Sequence, residues 1–468
     1  MTTLDIDHKI QRFTQSISQR DRLIDLLTNH DLDFHDQDSH YASHNFHSFP
    51  AKFPPQLPRI FIENLTSPGD LVLDPMQGSG TTILEANFSG RRAIGFDIDP
   101  LANYITIVKT TRLDPVFVHQ QSKIILQCAS SAVENRSRDL FQFLDNRWNK
   151  TTRDFVDYWF DFDSQVELAA LIQEIEKIEQ SSICNFFKAA LSAIIITKTG
   201  GVSLALDLAH TRPHRAKLIY TRNGEILEGE SMLENAPKNL PYMTKNLRSP
   251  IEEFKKRVQN NIKGLVQLSS AQFPVQILFG NAQELPLMSD TIDLIVTSPP
   301  YASNAIDYMR AHKFSLVWLG FPLETLSIKR RDYIGGEIVS QFEFEKMPQF
   351  TASVVSEISA LDSQKGLILH RYFSEMTRVL REMYRILKSG KCAVVVVGNS
   401  EMRGQDTETQ NCLADIGKSI GFEIPAIGVR SLDRDRRMLP VGGKIDRESQ
   451  IQKRMHEEYV IGFYKPEK

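Results

Sequence analysis

Thr297-Ser298-Pro299-Pro300-Tyr301 is the stretch of this chain where the residue types themselves suggest chemistry. The Ser298 hydroxyl and the Pro299 carbonyl are two acceptors on neighbouring residues. Consecutive prolines stiffen the loop that carries them, because each ring fixes φ. Tyr301 adds a flat face. Such a set can hold an amino group by its two hydrogens while a planar ring rests on the aromatic. The same five residues also describe a rigid proline turn at a strand end. Alone, they do not choose between the two.

A second informative stretch lies far upstream, at Asp74-Pro75-Met76-Gln77-Gly78-Ser79-Gly80-Thr81-Thr82. Gly78 and Gly80 permit a tight turn and a close ligand approach, with no Cβ in the way. A helix starting at Thr81 offers free N–H groups and positive potential, which suit a carboxylate as well as a phosphate. Asp97, at the end of the next strand, can accept hydrogen bonds from ribose hydroxyls. An ordinary glycine turn with a capping acid is the alternative. A Walker loop does not fit, since no Lys-Ser/Thr follows the glycines. A dinucleotide fingerprint fits poorly, because Asp74-Pro75 stands where such sites usually hold glycine.

Residues Asp74 to Thr82 resemble the first motif of the amino-group DNA methyltransferases, usually Asp-Pro-Phe-x-Gly-Ser-Gly-Thr-Thr, with Met76 in place of the aromatic. Phe49-Pro50-Ala51-Lys52-Phe53-Pro54 resembles their motif X. Gly280-Asn281-Ala282 resembles their motif III turn, with Asn281 where Asp is frequent, and Thr297 to Tyr301 resembles motif IV. The resemblance implies S-adenosyl-L-methionine as cofactor. Lys52 and Phe53 would lie against its methionine part. Asp74, Pro75, Met76, Gly78, Gly80 and Thr81 would form the glycine-turn wall, with Asp97 at the ribose and Asn281 and Ala282 at the adenine.

The resemblance also assigns catalysis to Ser298, Pro299, Pro300 and Tyr301. An exocyclic amino nitrogen is a poor nucleophile, because its lone pair is delocalised into the ring. Two acceptors holding its hydrogens turn that lone pair toward the methyl group. Tyr301 would stack on a base flipped out of the duplex. A cationic sulfonium suits aromatic faces and carbonyls better than a fixed positive charge. In-line positioning supplies most of the rate. No covalent enzyme intermediate is needed, and none of the four cysteines follows a proline. Ser-Pro-Pro-Tyr accompanies mainly cytosine N4, whereas Asp- or Asn-Pro-Pro-Tyr accompanies adenine N6. Cytosine N4 is therefore expected, with adenine N6 the alternative. An RNA methyltransferase or a non-catalytic DNA-binding module fits less well.

These residues require a frame, and the pattern predicts an α/β fold: a doubly wound, Rossmann-like methyltransferase sheet with a largely helical insertion. Residues 1–43 read as a helical preface, with Ile10, Phe13, Ile17, Leu23 and Leu26 at helical spacing. The catalytic domain is expected to combine 44–112, 271–320 and 371–468. Strands are expected at Asp70–Asp74, Ala93–Asp97, Val275–Gly280, Ile292–Val296, Cys392–Val397 and Glu458–Tyr464. Helices are expected at Arg59–Leu65, Thr81–Ser89, Asp307–Leu319 and Tyr372–Leu387. Residues 113–270 read as the helical insertion and 321–370 as a second, irregular one. Either is a candidate for reading DNA. The large insertion precedes the motif III turn, whereas the family usually places it between motifs III and IV.

The 468 residues carry a formal net charge of -3, which neither supports nor excludes a nucleic-acid partner. Any DNA contact must then come from local patches. Three basic stretches offer one: Arg212 and Arg215 in the helical insertion, Lys329, Arg330 and Arg331 in the second, and Arg430, Arg434, Arg436 and Arg437 near the C-terminus. Each is equally a solvated charged loop. Double-stranded DNA is the expected partner, with a cognate restriction endonuclease or other defence-system subunit beside it. No apolar run suggests a membrane span or signal peptide, so a cytoplasmic protein is expected. Cys128, Cys184, Cys392 and Cys412 form no CxxC pair or zinc pattern, and read as reduced structural thiols without a metal.

Overall fold

The computed structural model describes residues 17–49, 52–208, 213–234, 236–268, 273–302, 308–398, 400–432 and 457–467. Its centre is a seven-stranded sheet in the order β11-β12-β8-β7-β1-β2-β6. These strands are β1 (Leu71–Asp74), β2 (Arg92–Asp97), β6 (Val275–Phe279), β7 (Ile292–Thr297), β8 (Leu387–Gly398), β11 (Ile427–Ser431) and β12 (Glu457–Tyr464). From β8 to β6 all neighbours are parallel, while β12 runs antiparallel to both β8 and β11. The central strands are mostly apolar, as expected where helices cover both faces. All six residues of β7 are buried, as are Val394 to Val397 of β8.

The chain proceeds outward from β1 through β2 to β6, then returns to place β7 on the other side of β1. The strand order reverses there, and ligands bind outside the carboxyl ends of strands at such a reversal. The glycine turn after β1 and the Pro-Pro loop after β7 are thereby neighbours. The Thr82 hydroxyl ties them, donating to the Val296 carbonyl at 3.1 Å.

The helical insertion holds helices Pro115–Arg147, Lys150–Trp159, Phe162–Glu176, Ser181–Ile195 and Pro250–Leu265. Asp114, Asn149, Asp161 and Ser249 each accept a backbone N–H of the first turn at the starts of four of them. A small sheet in the order β4-β3-β5 also lies here: β3 (Leu218–Tyr220), β4 (Ile226–Glu228) and β5 (Thr244–Asn246). Strands of three residues are too short to show alternation in sequence. The insertion shares one core with the catalytic domain. Phe155, Trp159 and Phe160 surround Phe314, and Trp148 meets Trp318 edge-on at 5.0 Å.

The second insertion is less irregular than its sequence suggests. It contains helices Leu323–Lys329 and Gln349–Leu361, and the following helix begins at Ser363, not Tyr372, running to Ile386. The buried stripe of Val354, Ile358, Leu369 and Tyr372 drives this, and Asp362 caps the longer helix through the Lys365 N–H at 3.1 Å. Helix Thr409–Ile420 and strand β11 were also not anticipated. The expected helix at Asp307–Leu319 is Tyr308–Leu316 among the described residues. Helix Gln19–Thr28 buries Leu23, Leu26 and Leu27, whereas Ile17 is exposed. Ile10 and Phe13 lie outside the described residues. The four cysteines are free thiols, and no described helix is long and apolar enough to cross a membrane.

Candidate active site

A cavity of about 790 Å³ opens over the carboxyl ends of β1, β2, β6 and β7. Its walls include most residues that the sequence singled out: Lys52, Phe53, Asp74, Pro75, Met76, Gly78, Thr81, Asp97, Asn281, Ala282, Ser298 and Pro300, with Arg330 and Arg331.

The glycine turn is built by close contact. Gly80, in the left-handed region at φ 73°, caps helix Thr81–Phe88, and a Cβ there would lie 2.3 Å from the Thr106 methyl. Gly80 thus packs the turn against helix Pro100–Thr110 and does not itself line the cavity. The Gly78 N–H donates to Asp97 Oδ2 at 2.8 Å, binding the turn to the end of β2. Lys109, fully buried, donates to the Ser79 carbonyl at 2.6 Å from below. The Ser79 hydroxyl is buried on the cavity wall without a protein partner.

The floor is acidic. Burial raises the Asp74 carboxyl to about 6, although the Met76 N–H donates to it at 3.1 Å. Burial, then the neighbouring Asp99 charge, raises Asp97 to about 7. Burial also pushes Asp99 upward, but the His312 ring at 2.6 Å outweighs this and holds it below the usual range. Lys52 donates to the His44 carbonyl at 2.8 Å. The Asn281 carbonyl oxygen is engaged by the Gln283 N–H at 3.0 Å, which leaves its amide group for the cavity.

At the Pro-Pro loop the expected residues divide. Ser298 and Pro300 line the cavity, whereas Pro299 is buried behind them. Tyr301 does not offer its face. Its ring is 8% exposed and its hydroxyl donates to Glu458 Oε1 at 2.9 Å. Glu458 in turn pairs with Arg430, whose Nε donates to the Leu32 carbonyl at 3.0 Å. Strands β11 and β12 therefore anchor the loop from behind. The aromatic wall comes from Tyr308, stacked on Phe49 with centroids 5.4 Å apart. Phe49 also leans on His312.

The basic candidates separate in the same way. Arg430 is 5% exposed and structural, not a surface contact. Arg215 lies away from the cavity, doubly bonded to Glu228 and set over Tyr158. The Lys329 ammonium sits 4.1 Å from the Phe279 ring centroid and does not line the cavity, while Arg330 and Arg331 do. Arg212, Arg434, Arg436 and Arg437 lie outside the described residues, as do Pro50 and Ala51 of the motif X segment. The sequence reading missed Tyr308, Ile98, Asp99, Arg310, Lys365, Ile368 and Met402 on the cavity wall. Of these, Asp99 had a signal: Asp-Pro at 99–100 is a helix start, and it follows directly on the β2 acid.

The residues suit a large, zwitterionic nucleoside. The unpaired Ser79 hydroxyl, the Asp97 carboxyl and the Asn281 amide together provide both hydrogen-bonding signs around one space. No group of His, Cys, Asp and Glu that could hold a metal occurs among the described residues.

The chain is similar to known proteins. A family model described as DNA methylase matches residues 25–109, which span the cofactor-side loop, the glycine turn and β2. The chain is 24% identical over 436 residues to the Type II methyltransferase M.MvaI of Kocuria varians, covering 88% of this chain and 87% of that protein. It is 23% identical over 420 residues to the Type II methyltransferase M.BsoBI of Geobacillus stearothermophilus, covering 81% and 78%. Among solved structures, a SAM-dependent methyltransferase from Methanosarcina mazei is 10% identical, with a TM-score of 0.29 over 87% of this chain and 98% of that one.

Proposed function

We propose, for a chain that belongs to the S-adenosylmethionine-dependent amino-group DNA methyltransferases, that the methyl group goes to N4 of a cytosine turned out of the duplex. The observation that carries this reading is Ser298, a neutral hydroxyl on the cavity wall at the end of β7. A hydroxyl beside the Pro299 carbonyl takes the two amino hydrogens without the full negative charge of an aspartate. Both relatives above are named Type II methyltransferases, and the reading includes a partner nuclease of the same specificity.

When bound, S-adenosylmethionine supplies an electrophilic methyl group on a sulfonium. Asp97 would hold the ribose, Asn281 and Ala282 the adenine, and the glycine turn with Lys52 the carboxylate end. Ser298 orients the amino group, and the proline-locked loop keeps that geometry without further ordering. Tyr308, not Tyr301, offers the flat face, on the strength of its place in the cavity wall. Tyr301 holds the loop through Glu458.

The test is chemical. DNA methylated by the purified protein, digested to nucleosides and separated, is expected to contain N4-methylcytosine. N6-methyladenine alone would replace cytosine by adenine in this reading.

Cofactor binding should depend on pH through Asp97. A carboxyl raised to about 7 is largely protonated at pH 6 and cannot accept from both ribose hydroxyls. In the cofactor-free chain this raised group favours the fold below the ordinary carboxylate range, and that contribution is lost as pH rises through about 7. Binding draws on the ionised form, so the sign reverses. The dissociation constant is expected to fall roughly tenfold from pH 6 to pH 8, the change set by one ionisation near 7. Calorimetric titration across that range checks it. An equal slope in Asp97→Asn would assign the effect elsewhere.

A further inference from the structure

Residues 327–338 begin in the last turn of helix Leu323–Lys329 and run along the cavity as a strap. At one end Lys329 rests on Phe279 of the edge strand β6. At the other, the strap lies on the helix Ser363–Ile386. Between them Arg330, Arg331, Tyr333 and Gly336 line the cavity that also holds Ser298.

The strap has no sheet or α-helix of its own beyond its first residues, so its backbone needs partners. The long helix supplies them from one buried ion pair. Arg371 donates to Glu375 Oε1 at 2.9 Å, and the two residues are 6% and 2% exposed. Glu375 accepts the Gly335 N–H at 2.7 Å. Arg371 donates to the Arg331 carbonyl at 3.2 Å and to the Ile338 carbonyl. The fit is close, since a Cβ on Gly336 would lie 3.0 Å from the guanidinium. Each member of the pair therefore neutralises the other and fixes the strap at three points.

The charge of the mouth is opposite to that of the floor. Asp74, Asp97 and Asp99 lie below. Arg310, Arg330, Arg331 and Lys365 lie around the opening, from three separate segments, and outnumber Asp332 and Glu337 there, Glu337 lying 4.0 Å from Lys365. Arg330 and Arg331 are exposed. A rim of this sign meets phosphates, while the floor meets a cationic cofactor. The helical insertion, in contrast, contributes no described residue to the cavity. Its apolar faces are used in the shared core, and its Arg215 is held by Glu228.

We infer that the strap of residues 327–338, and not the helical insertion, takes the DNA strand at the active-site mouth, with Arg371–Glu375 as the positioning pair that sets it. This inference rests on the DNA methyltransferase reading. It assigns backbone contact beside the active site to the second insertion.

The test measures binding of a fluorescein-labelled duplex to the full chain by anisotropy, across a range of salt, beside cofactor affinity by calorimetry. Arg330→Ala with Arg331→Ala is expected to weaken duplex binding at least tenfold and to reduce the log–log salt slope by about two, at roughly one phosphate for each cation. Cofactor affinity stays unchanged. Lys198→Ala with Lys217→Ala, on the helical insertion, leaves binding and slope as in the unmodified chain. Arg371→Met is expected to open the strap to trypsin and weaken duplex binding, with rescue by Arg371→Lys. Should Arg371→Met fail to fold, the exposed arginine pair still decides. Unmodified affinity and slope in the strap pair, or losses confined to Lys198 and Lys217, would overturn the inference. Intact duplex binding without methyl transfer would instead count against the methyltransferase reading on which the inference rests.

Discussion

Replacing Ser298 by alanine is expected to lower the rate of methyl transfer about 100- to 1000-fold, the range seen when one preorganised hydrogen-bonding group is removed from a reacting centre. Cofactor affinity should not move, because Ser298 lies in the loop after β7 and the glycine turn in the loop after β1. The size of the loss follows from the division of labour in the loop. Pro299 is buried and can present only its backbone, so Ser298 is the side-chain acceptor that lines the cavity there. Nor can the loop readjust, since two prolines fix its backbone and Tyr301 is held by Glu458. Single-turnover kinetics at saturating DNA and cofactor check this. A loss below about fivefold would remove Ser298 from the chemistry and leave the Pro299 carbonyl to orient the amino group alone.

The second large effect is on stability and lies beneath the cofactor turn. Glu85, on helix Thr81–Phe88, is wholly buried. It accepts from the Tyr41 hydroxyl at 2.7 Å and from Arg59 Nε at 2.7 Å, and the His44 ring lies 2.7 Å from it. Burial raises the Glu85 carboxyl and Arg59 opposes the rise. Glu85→Ala leaves three polar groups facing a cavity. Breaking a buried charge pair by removing one partner costs about 3–5 kcal/mol, and the lower half of that range is expected because Arg59 still reaches solvent. The urea midpoint of the cofactor-free protein measures it. Glu85→Gln keeps the acceptor and should cost less than half as much. A midpoint unchanged in Glu85→Ala would mean that the loop at Tyr41 and His44 is not held through this carboxylate.

The sheet was legible because its central strands are buried on both faces and so read as short apolar runs ending in turn residues. Asp74, Asp97 and Ser298 could be found for the same reason, each closing such a run. What escaped the sequence depends on where the chain returns. Tyr308 is separated in sequence from Phe49, and only the fold stacks them. Likewise, nothing near Tyr301 in sequence shows that its phenol has its partner on the last strand. Arg430 looked like a surface cation because its neighbours in sequence are charged, yet Glu458 buries it. The strap carries no periodicity at all. Its order comes from Arg371 and Glu375 on another element, and nothing local marks those two as different from any helical ion pair.

The position of the helical insertion has a consequence for how the molecule assembles. It interrupts the chain between β2 and β6, which pair directly from Ala93–Val275 to Asp97–Phe279. That pairing encloses the whole insertion in one loop. An unstructured loop of that length would bring its ends together slowly, because closure entropy precedes the reward of contact. The insertion folds largely through nearby helix–helix contacts and docks on helix Pro100–Thr110, where the Tyr104 hydroxyl donates to the Asn185 carbonyl at 3.1 Å. Once it is in place, the separation between β2 and β6 is short. The cavity wall at Asn281, which follows β6, therefore joins the rest of the cavity only through a pairing that spans the whole helical insertion.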